Sequence, residues 1–249
     1  MMCIKFIKTA ISAIFIFSII IIFSVITLPM VLLPARLRYK NKLYYLLLTI
    51  SAKLIVFFSF IKVKILNKQN LSLIKKSPVI IISNHASSLD IPLIEMLFGT
   101  LPRFWLIKSG YKHIPIFGFI LDRMNVWVKK QSVFKTKETF KNATLLAQKT
   151  SQHIIIFPEG RRYSDGQIHQ FYNGFFNLAE QLNRPVLPIA IHGLYKILPK
   201  KSFLIDSNAC LVKISIGKIM YISDYKTKQD FIETAQNWFK QQLNDLEKK

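Results

Sequence analysis

His85 and Asp90 stand five positions apart in the stretch NHASSLD, residues 84–90, directly behind the apolar run PVIIIS. An imidazole changes charge near neutral pH, and a carboxylate on one ring nitrogen fixes its tautomer and leaves the other nitrogen as a base. Such a dyad by itself names no substrate. The spacing restricts how the two can meet. Five residues on one helix turn their side chains about 140° apart. Contact therefore requires His85 ahead of a helix and Asp90 in its first turn, a geometry that the sequence SLDIPLIEML permits. A surface turn capped by Ser87 or Ser88, with His85 incidental, accounts for the same residues.

A second polar cluster repeats the arrangement. In IIIFPEGRRYSDG, residues 154–166, an apolar run ends in Glu159, Gly160, Arg161 and Arg162. Gly160 allows the backbone a close approach. An arginine fork matches the oxygen geometry of a phosphate. A solvated loop of charges is the plainer alternative. Two polar clusters at the ends of two buried strands converge on one rim if the strands share a parallel sheet, and ligands bind along that rim.

The elements needed to position them are readable. PVIIIS (78–83), HIIIFP (153–158) and PVLPIAIHG (185–193) are near-continuous apolar runs bounded by turn residues, the pattern of strands covered on both faces. RFWLIK (103–108), MNVWV (124–128) and LVKISIG (211–217) are weaker strand candidates. Between them lie helical patterns. Residues 135–150 put Phe140, Ala143, Leu146 and Ala147 on one face. Residues 231–246 do the same with Phe231, Ala235, Trp238, Phe239, Leu243 and Leu246. The expected fold is α/β, a mostly parallel central sheet flanked by helices.

The N-terminal quarter differs. No charged residue occurs between Thr9 and Ala35, which exceeds the roughly 20 residues of a spanning helix. The run ends in PMVLLPARLRYK, a poor cleavage site, so an uncleaved anchor is expected rather than a signal peptide. A second apolar stretch, residues 43–61, carries Lys53 near its middle. It reads either as the second arm of a helical hairpin within one leaflet or as an interfacial helix whose lysine snorkels. Residues 1–61 are thus expected to form a membrane anchor and residues 62–249 the main domain. Lys5 and Lys8 precede the first run, and Arg36, Arg38, Lys40 and Lys42 follow it. The larger basic cluster on the C-terminal side predicts the main domain in the cytoplasm, at the cytoplasmic membrane.

Composition narrows the partners. The formal net charge is +22 and the hydrophobic fraction 51%. So large an excess of positive charge seeks something anionic. Joined to this hydrophobicity, it favours an anionic membrane surface, and nucleic acid is not expected. Cys3 and Cys210 are far apart and match no metal-ligand spacing, so neither a disulfide framework nor a metal site is expected.

Asn-His-x-x-x-x-Asp followed some seventy residues later by Phe-Pro-Glu-Gly-x-Arg resembles the glycerolipid acyltransferases, with the bacterial 1-acylglycerol-3-phosphate enzymes nearest in look. The likeness runs from about residue 55 to 220. KSGYKHIPIFG (108–118) is similar to the family's lysine, proline and glycine block, with Lys108, Pro115 and Gly118 in place and Gly110 where a glutamate is usual. PVLPIAIHG is similar to its fourth motif, the proline falling at Pro188. Three further departures stand out. NVWVKK offers Lys129 and Lys130 where the family has an arginine that helps hold phosphate. Arg161 replaces a threonine, so that Arg162 matches the family arginine. Asn173 stands where a lysine commonly precedes the later glycine.

The resemblance implies that His85 and Asp90 are catalytic. It also implies that Glu159, Gly160, Arg162 and Lys130 receive a glycerol phosphate, and that Asn84, placed with them, shapes the turn. It implies acyl transfer from a thioester, acyl carrier protein or coenzyme A as co-substrate and no other cofactor, to lysophosphatidate, giving phosphatidate in phospholipid biosynthesis. A different lysophospholipid acceptor is the alternative that the altered second motif leaves open. A basic, membrane-anchored binding protein without catalysis is a third reading, and it requires no dependence on His85.

Overall fold

Ile80, Ile81 and Ile82 are fully buried because both faces of their strand are covered. Residues of odd and even number alternate between two cores. Ile81, Ile155, Leu187 and Ile189 enter one; Ile80, Ile82, Ile154 and Val186 enter the other. Each such isoleucine contributes about 1.5–3 kcal/mol relative to its exposed state. A computed structural model of the chain describes residues 2–128, 133–200, 202, 204–206 and 211–248.

The sheet has seven strands: β1 (Lys62–Leu66), β2 (Ile80–Ser83), β3 (Arg103–Lys108), β4 (Val126–Val128), β5 (His153–Ile156), β6 (Val186–His192) and β7 (Leu211–Ile216). Their order is β1-β7-β6-β2-β5-β3-β4. Strands β6, β2, β5, β3 and β4 run parallel. β7 runs antiparallel to β6, and β1 pairs in parallel with β7, so these two form a reversed edge. The expected mostly parallel sheet is present. The reversed pair was not expected, and β1 was missed: Lys62 and Lys64 interrupt its apolar pattern. Both lysines are exposed, as suits an edge strand that must not recruit further strands.

Helices cover both faces. α1 (Met2–Leu32) and α3 (Lys42–Phe58) pack as an antiparallel hairpin joined through the short α2 (Ala35–Arg38). α1 ends before Pro34, whose ring disfavours helix in the preceding residue. α3 begins at Asn41, whose side chain accepts the amides of Leu43 (3.0 Å) and Tyr44 (3.2 Å). Phe15 stacks on Phe58 at 3.9 Å, and Ser12 donates to the Phe58 carbonyl, which closes the far end of the hairpin. Lys53 is exposed on α3. α4 (Asp90–Glu95), α5 (Phe117–Met124), α6 (Val133–Thr150), α7 (Gly174–Leu182), α8 (Leu194–Ile197) and α9 (Lys228–Lys248) complete the chain. In α6, Ala143 and Ala147 are buried; in α9, Phe231, Ala235, Phe239, Leu243 and Leu246 are, as their spacing predicts.

The position of the site follows from the crossovers. β2 and β5 are neighbours. The helix after β2, α4, packs into the first core through Leu93 and Ile94. The helix after β5 in the sheet sequence, α7, packs into the second through Phe175, Leu178 and Ala179. The chain therefore leaves two adjacent strands toward opposite faces, which opens a crevice between their carboxyl ends.

Candidate active site

His85 and Glu159 both lie in that crevice. Ile82 is in register with Ile156, so residues three beyond each strand position emerge side by side. The loop after Glu159 folds back over the first: the Tyr163 amide donates to the His85 carbonyl at 2.9 Å. The two clusters that are separate in sequence are thus one site.

Nδ1 of His85 lies 2.8 Å from Oδ2 of Asp90. Asp90 is the first residue of α4 and fully buried. The same Oδ2 accepts the amides of Ala86 (2.7 Å) and Ser87 (2.8 Å), so the turn folds around the carboxylate. With Nδ1–H donating to the Asp90 carboxylate, Nε2 is left as the acceptor on a side chain that is 16% exposed. The capping alternative holds in one detail: Ser87 Oγ accepts the Leu89 amide at 3.3 Å, while the histidine is engaged rather than incidental. One face of the imidazole lies against the ring of Phe157, 3.9 Å between centroids and 6° from parallel. No sequence pattern singled out Phe157 beyond its place in FPEG, since its partner is distant along the chain.

Asn84 shapes the frame. Its amide donates to the Ile191 carbonyl at 2.9 Å and accepts the Ile191 amide at 2.8 Å, tying the end of β2 to β6. Buried and doubly bonded, it has both polar atoms in use. That fits the turn-shaping role.

Glu159 is 1% exposed, and its Oε1 has no hydrogen-bond partner. Burial, then the negative charge of Asp90, pushes its carboxyl up to about 8, against a smaller opposing effect of the His85 amide. At neutral pH it is mostly protonated, a donor rather than a charge. Gly160 adopts φ +66°, a conformation that any side chain would strain, and its amide closes a turn on the Phe157 carbonyl at 3.0 Å. The glycine therefore serves the turn that sends Arg161 and Arg162 back over the site.

The cations are not equivalent. Arg161 Nε donates to the Tyr163 hydroxyl at 2.6 Å, and its guanidinium lies 4.7 Å from that ring. Lys108, at the end of β3, is held below the usual lysine range by partial burial and then by the charges of Lys200, Arg162 and Arg161. Among the described residues neither Lys108 nor Arg162 has an ion-pair partner. Positive charges that crowd one another without a carboxylate between them make an anion site. Lys129 and Lys130 lie outside the described residues. Behind Lys108, the block ending in Gly118 turns tightly enough that a Cβ there would run into the Lys112 carbonyl.

This arrangement offers a steered base, a buried protonated carboxyl and an uncompensated cationic patch on one rim. Comparison with known proteins places the chain in a family. The chain is 28% identical over 209 residues to a chloroplastic 1-acyl-sn-glycerol-3-phosphate acyltransferase of Brassica napus, covering 83% of this chain and 58% of that protein. It is 26% identical over 152 residues to the 1-acyl-sn-glycerol-3-phosphate acyltransferase of Borreliella burgdorferi, covering 61% of this chain and 60% of that one. The chain thus spans about three fifths of the length of these curated relatives. The crystal structure of the 1-acyl-sn-glycerophosphate acyltransferase PlsC from Thermotoga maritima superposes with a TM-score of 0.79 over 98% of both chains, at 20% identity, and so shares the fold. The acyltransferase family model matches residues 62–192, more than half of the sequence and all of the rim just described, and the chain belongs to that acyltransferase family.

Proposed function

We propose that the protein transfers an acyl group from a thioester to the free hydroxyl of 1-acylglycerol-3-phosphate, giving phosphatidate. The observation that carries this reading is a steered imidazole on the same sheet edge as cations that crowd one another. A phosphate held by Arg162 and Lys108, with Lys130 as a further candidate, brings a glycerol hydroxyl toward Nε2 of His85. His85 takes the hydroxyl proton as the oxygen attacks the thioester carbonyl. The tetrahedral adduct collapses with loss of the thiolate, which recovers the proton from His85. Asp90 stabilises the imidazolium formed between those steps. A base of this kind supplies about 10²- to 10⁴-fold, and positioning of two substrates the larger share.

The acyl donor is acyl carrier protein or coenzyme A, both acidic, which the net charge of +22 attracts. Residues 1–61 seat the catalytic domain, 62–249, on an anionic membrane at the cytoplasmic side. α1 supports this role. It is apolar over Lys5–Leu32 and long enough to cross a membrane, yet much of its surface is uncovered, Phe17 being 66% exposed. Exposed Ile114, Ile116 and Phe119 extend an apolar face beyond the hairpin. A different lysophospholipid acceptor is the second reading, favoured by lysines in place of the second-motif arginine.

The test offers purified full-length protein in detergent a labelled acyl thioester and a panel of lysolipids, beside His85→Ala. Transfer to lysophosphatidate that disappears in the variant is expected. Transfer to other lysolipids alone establishes the second reading, and undiminished transfer by His85→Ala overturns the mechanism.

A further inference from the structure

The contact with Asp90 holds one atom of the His85 ring but does not by itself fix its plane. The plane is set by Phe157, flat against the imidazole. Phe157 is only half-buried and needs backing of its own. Trp105 of β3 supplies it, 5.3 Å from the Phe157 ring. The Trp105 indole is fixed in turn, since its Nε1 donates to Oε1 of Glu95. Glu95 closes α4, the helix that Asp90 opens. Its other oxygen accepts Nε of Arg103 at 2.7 Å. Nη2 of Arg103 donates to Oγ1 of Thr49, on α3, at 3.0 Å. Arg103, Glu95, Trp105 and Thr49 are each at most 6% exposed.

A carboxylate and a guanidinium taken out of water this completely require a full set of partners to stay charged. Here Thr49 and the Gly99 and Leu101 carbonyls supply them. The network touches neither the cationic patch nor the Glu159 carboxyl, so the acyl-transfer mechanism has no use for it. Its two ends lie at the anchor hairpin and at the base.

We propose that Phe157 is a positioning residue for His85, and that the buried column Thr49–Arg103–Glu95–Trp105 behind it connects the seating of α3 to the aim of the imidazole. Glu95 acts at two points, since it braces both the ring stack and the far end of the helix that carries Asp90. The proposal rests on His85 being the base of the proposed reaction. An error of about 1 Å in such a group costs up to 10²-fold in rate.

The experiment compares full-length wild type, Phe157→Leu, Phe157→Tyr, Trp105→Phe and Thr49→Val in detergent micelles. Two quantities are read: steady-state kcat and KM for donor and acceptor, and the ¹⁵N signals of the His85 ring, which report its tautomer. Phe157→Leu is expected to lower kcat about tenfold or more while both KM values stay within about twofold, and to mix the tautomers of His85. Phe157→Tyr, which keeps the flat face, is expected to restore both. Trp105→Phe and Thr49→Val are expected to act in the same direction with smaller size. Should Phe157→Leu lose the fold, Trp105→Phe carries the test, because it keeps an aromatic ring behind Phe157 while removing the N–H and the second ring of the indole. An unchanged kcat with an unchanged ring spectrum overturns the proposal, as does an effect confined to KM. A silent Thr49→Val removes α3 from the column. The ring spectrum needs no substrate. It therefore still decides the proposal if wild type proves to prefer another acceptor or to transfer nothing, an outcome that sinks the proposed function instead.

Discussion

Ile82 of β2 faces Ile156 of β5 across a parallel ladder, and three residues beyond each the chain reaches His85 and Glu159. The sheet therefore does the work of juxtaposition, and the two loops need only turn correctly. Asp90 makes the first loop turn by gathering two amides and the imidazole on one oxygen.

Replacing Asp90 by asparagine keeps the size and removes the charge. The one oxygen it retains must still accept the Ala86 and Ser87 amides beside Nδ1, but no carboxylate is left to stabilise the imidazolium. We expect kcat to fall by about 10²-fold or more with KM nearly unchanged, the base itself being worth about 10²- to 10⁴-fold. A variant whose loss is recovered at saturating acceptor would assign Asp90 to binding instead.

Arg162 and Lys108 are expected to grip the acceptor phosphate. A charge-assisted hydrogen bond is worth about 1.5–3 kcal/mol, so Arg162→Ala should raise KM for lysophosphatidate by about tenfold or more. Lys108→Ala should act likewise. Neither should alter transfer to monoacylglycerol, which has no phosphate. Equal losses on both acceptors would show that the residues act on the donor or on the fold.

Glu159 gives the protein a pH dependence of stability. Its carboxyl lies near 4.5 in an unfolded chain and is raised to about 8 here, chiefly by burial. Between those values the folded protein binds more protons than the unfolded one, so stability declines as pH rises. The contribution is fully present below about 4.5 and lost by about pH 8, a change of several kcal/mol at most. Glu159→Gln should flatten that part of the profile and raise the thermal midpoint above pH 8. Parallel profiles for variant and wild type would place the proton elsewhere.

Asn84→Ala tests the frame. It leaves the amide and carbonyl of Ile191 without the partners they have here, in a buried strand. Each orphaned group costs about 1–3 kcal/mol. The variant should show a lower thermal midpoint and, once folded, near-normal KM for both substrates. A large rise in acceptor KM at unchanged stability would return Asn84 to the binding residues.

The rim was legible because its strands are buried on both faces. Such strands read as unbroken apolar runs, and a polar cluster at the end of one stands out, as NHASSLD and FPEGRR do. The paired His85 and Asp90 followed from helix geometry. Strand direction was not legible, because LVKISIG contains nothing that fixes whether β7 runs with β6 or against it; packing and the return path decide that. Asn84 was readable as a turn residue, but its partner Ile191 lies on another strand. Phe157 was similarly opaque. An aromatic beside a histidine 72 residues away becomes visible only when the register of β2 and β5 is known.

The column from α3 also bears on where the chain can be cut. A tether can be removed without harm to the domain it holds. α3 is more than that. It buries Tyr45 and Val56 completely or nearly so, Thr49 accepts Arg103, and the Tyr45 hydroxyl accepts Gln152 ahead of β5. Deleting residues 1–61 would strip these partners from a buried guanidinium and a buried amide, and expose one end of the core that holds Leu93 and Ile94. Breaking a buried charge network by removing one side of it costs about 3–5 kcal/mol, much of the stability of an ordinary domain. We therefore expect a fragment beginning at Lys62 to aggregate rather than to yield a soluble, slow enzyme. Deletion of residues 1–34, which spares α3, should retain the fold and weaken membrane binding. The comparison is read by size-exclusion chromatography in detergent and by vesicle flotation. A monomeric, folded fragment from residue 62 would reduce α3 to a tether and remove the anchor from any role in aiming His85.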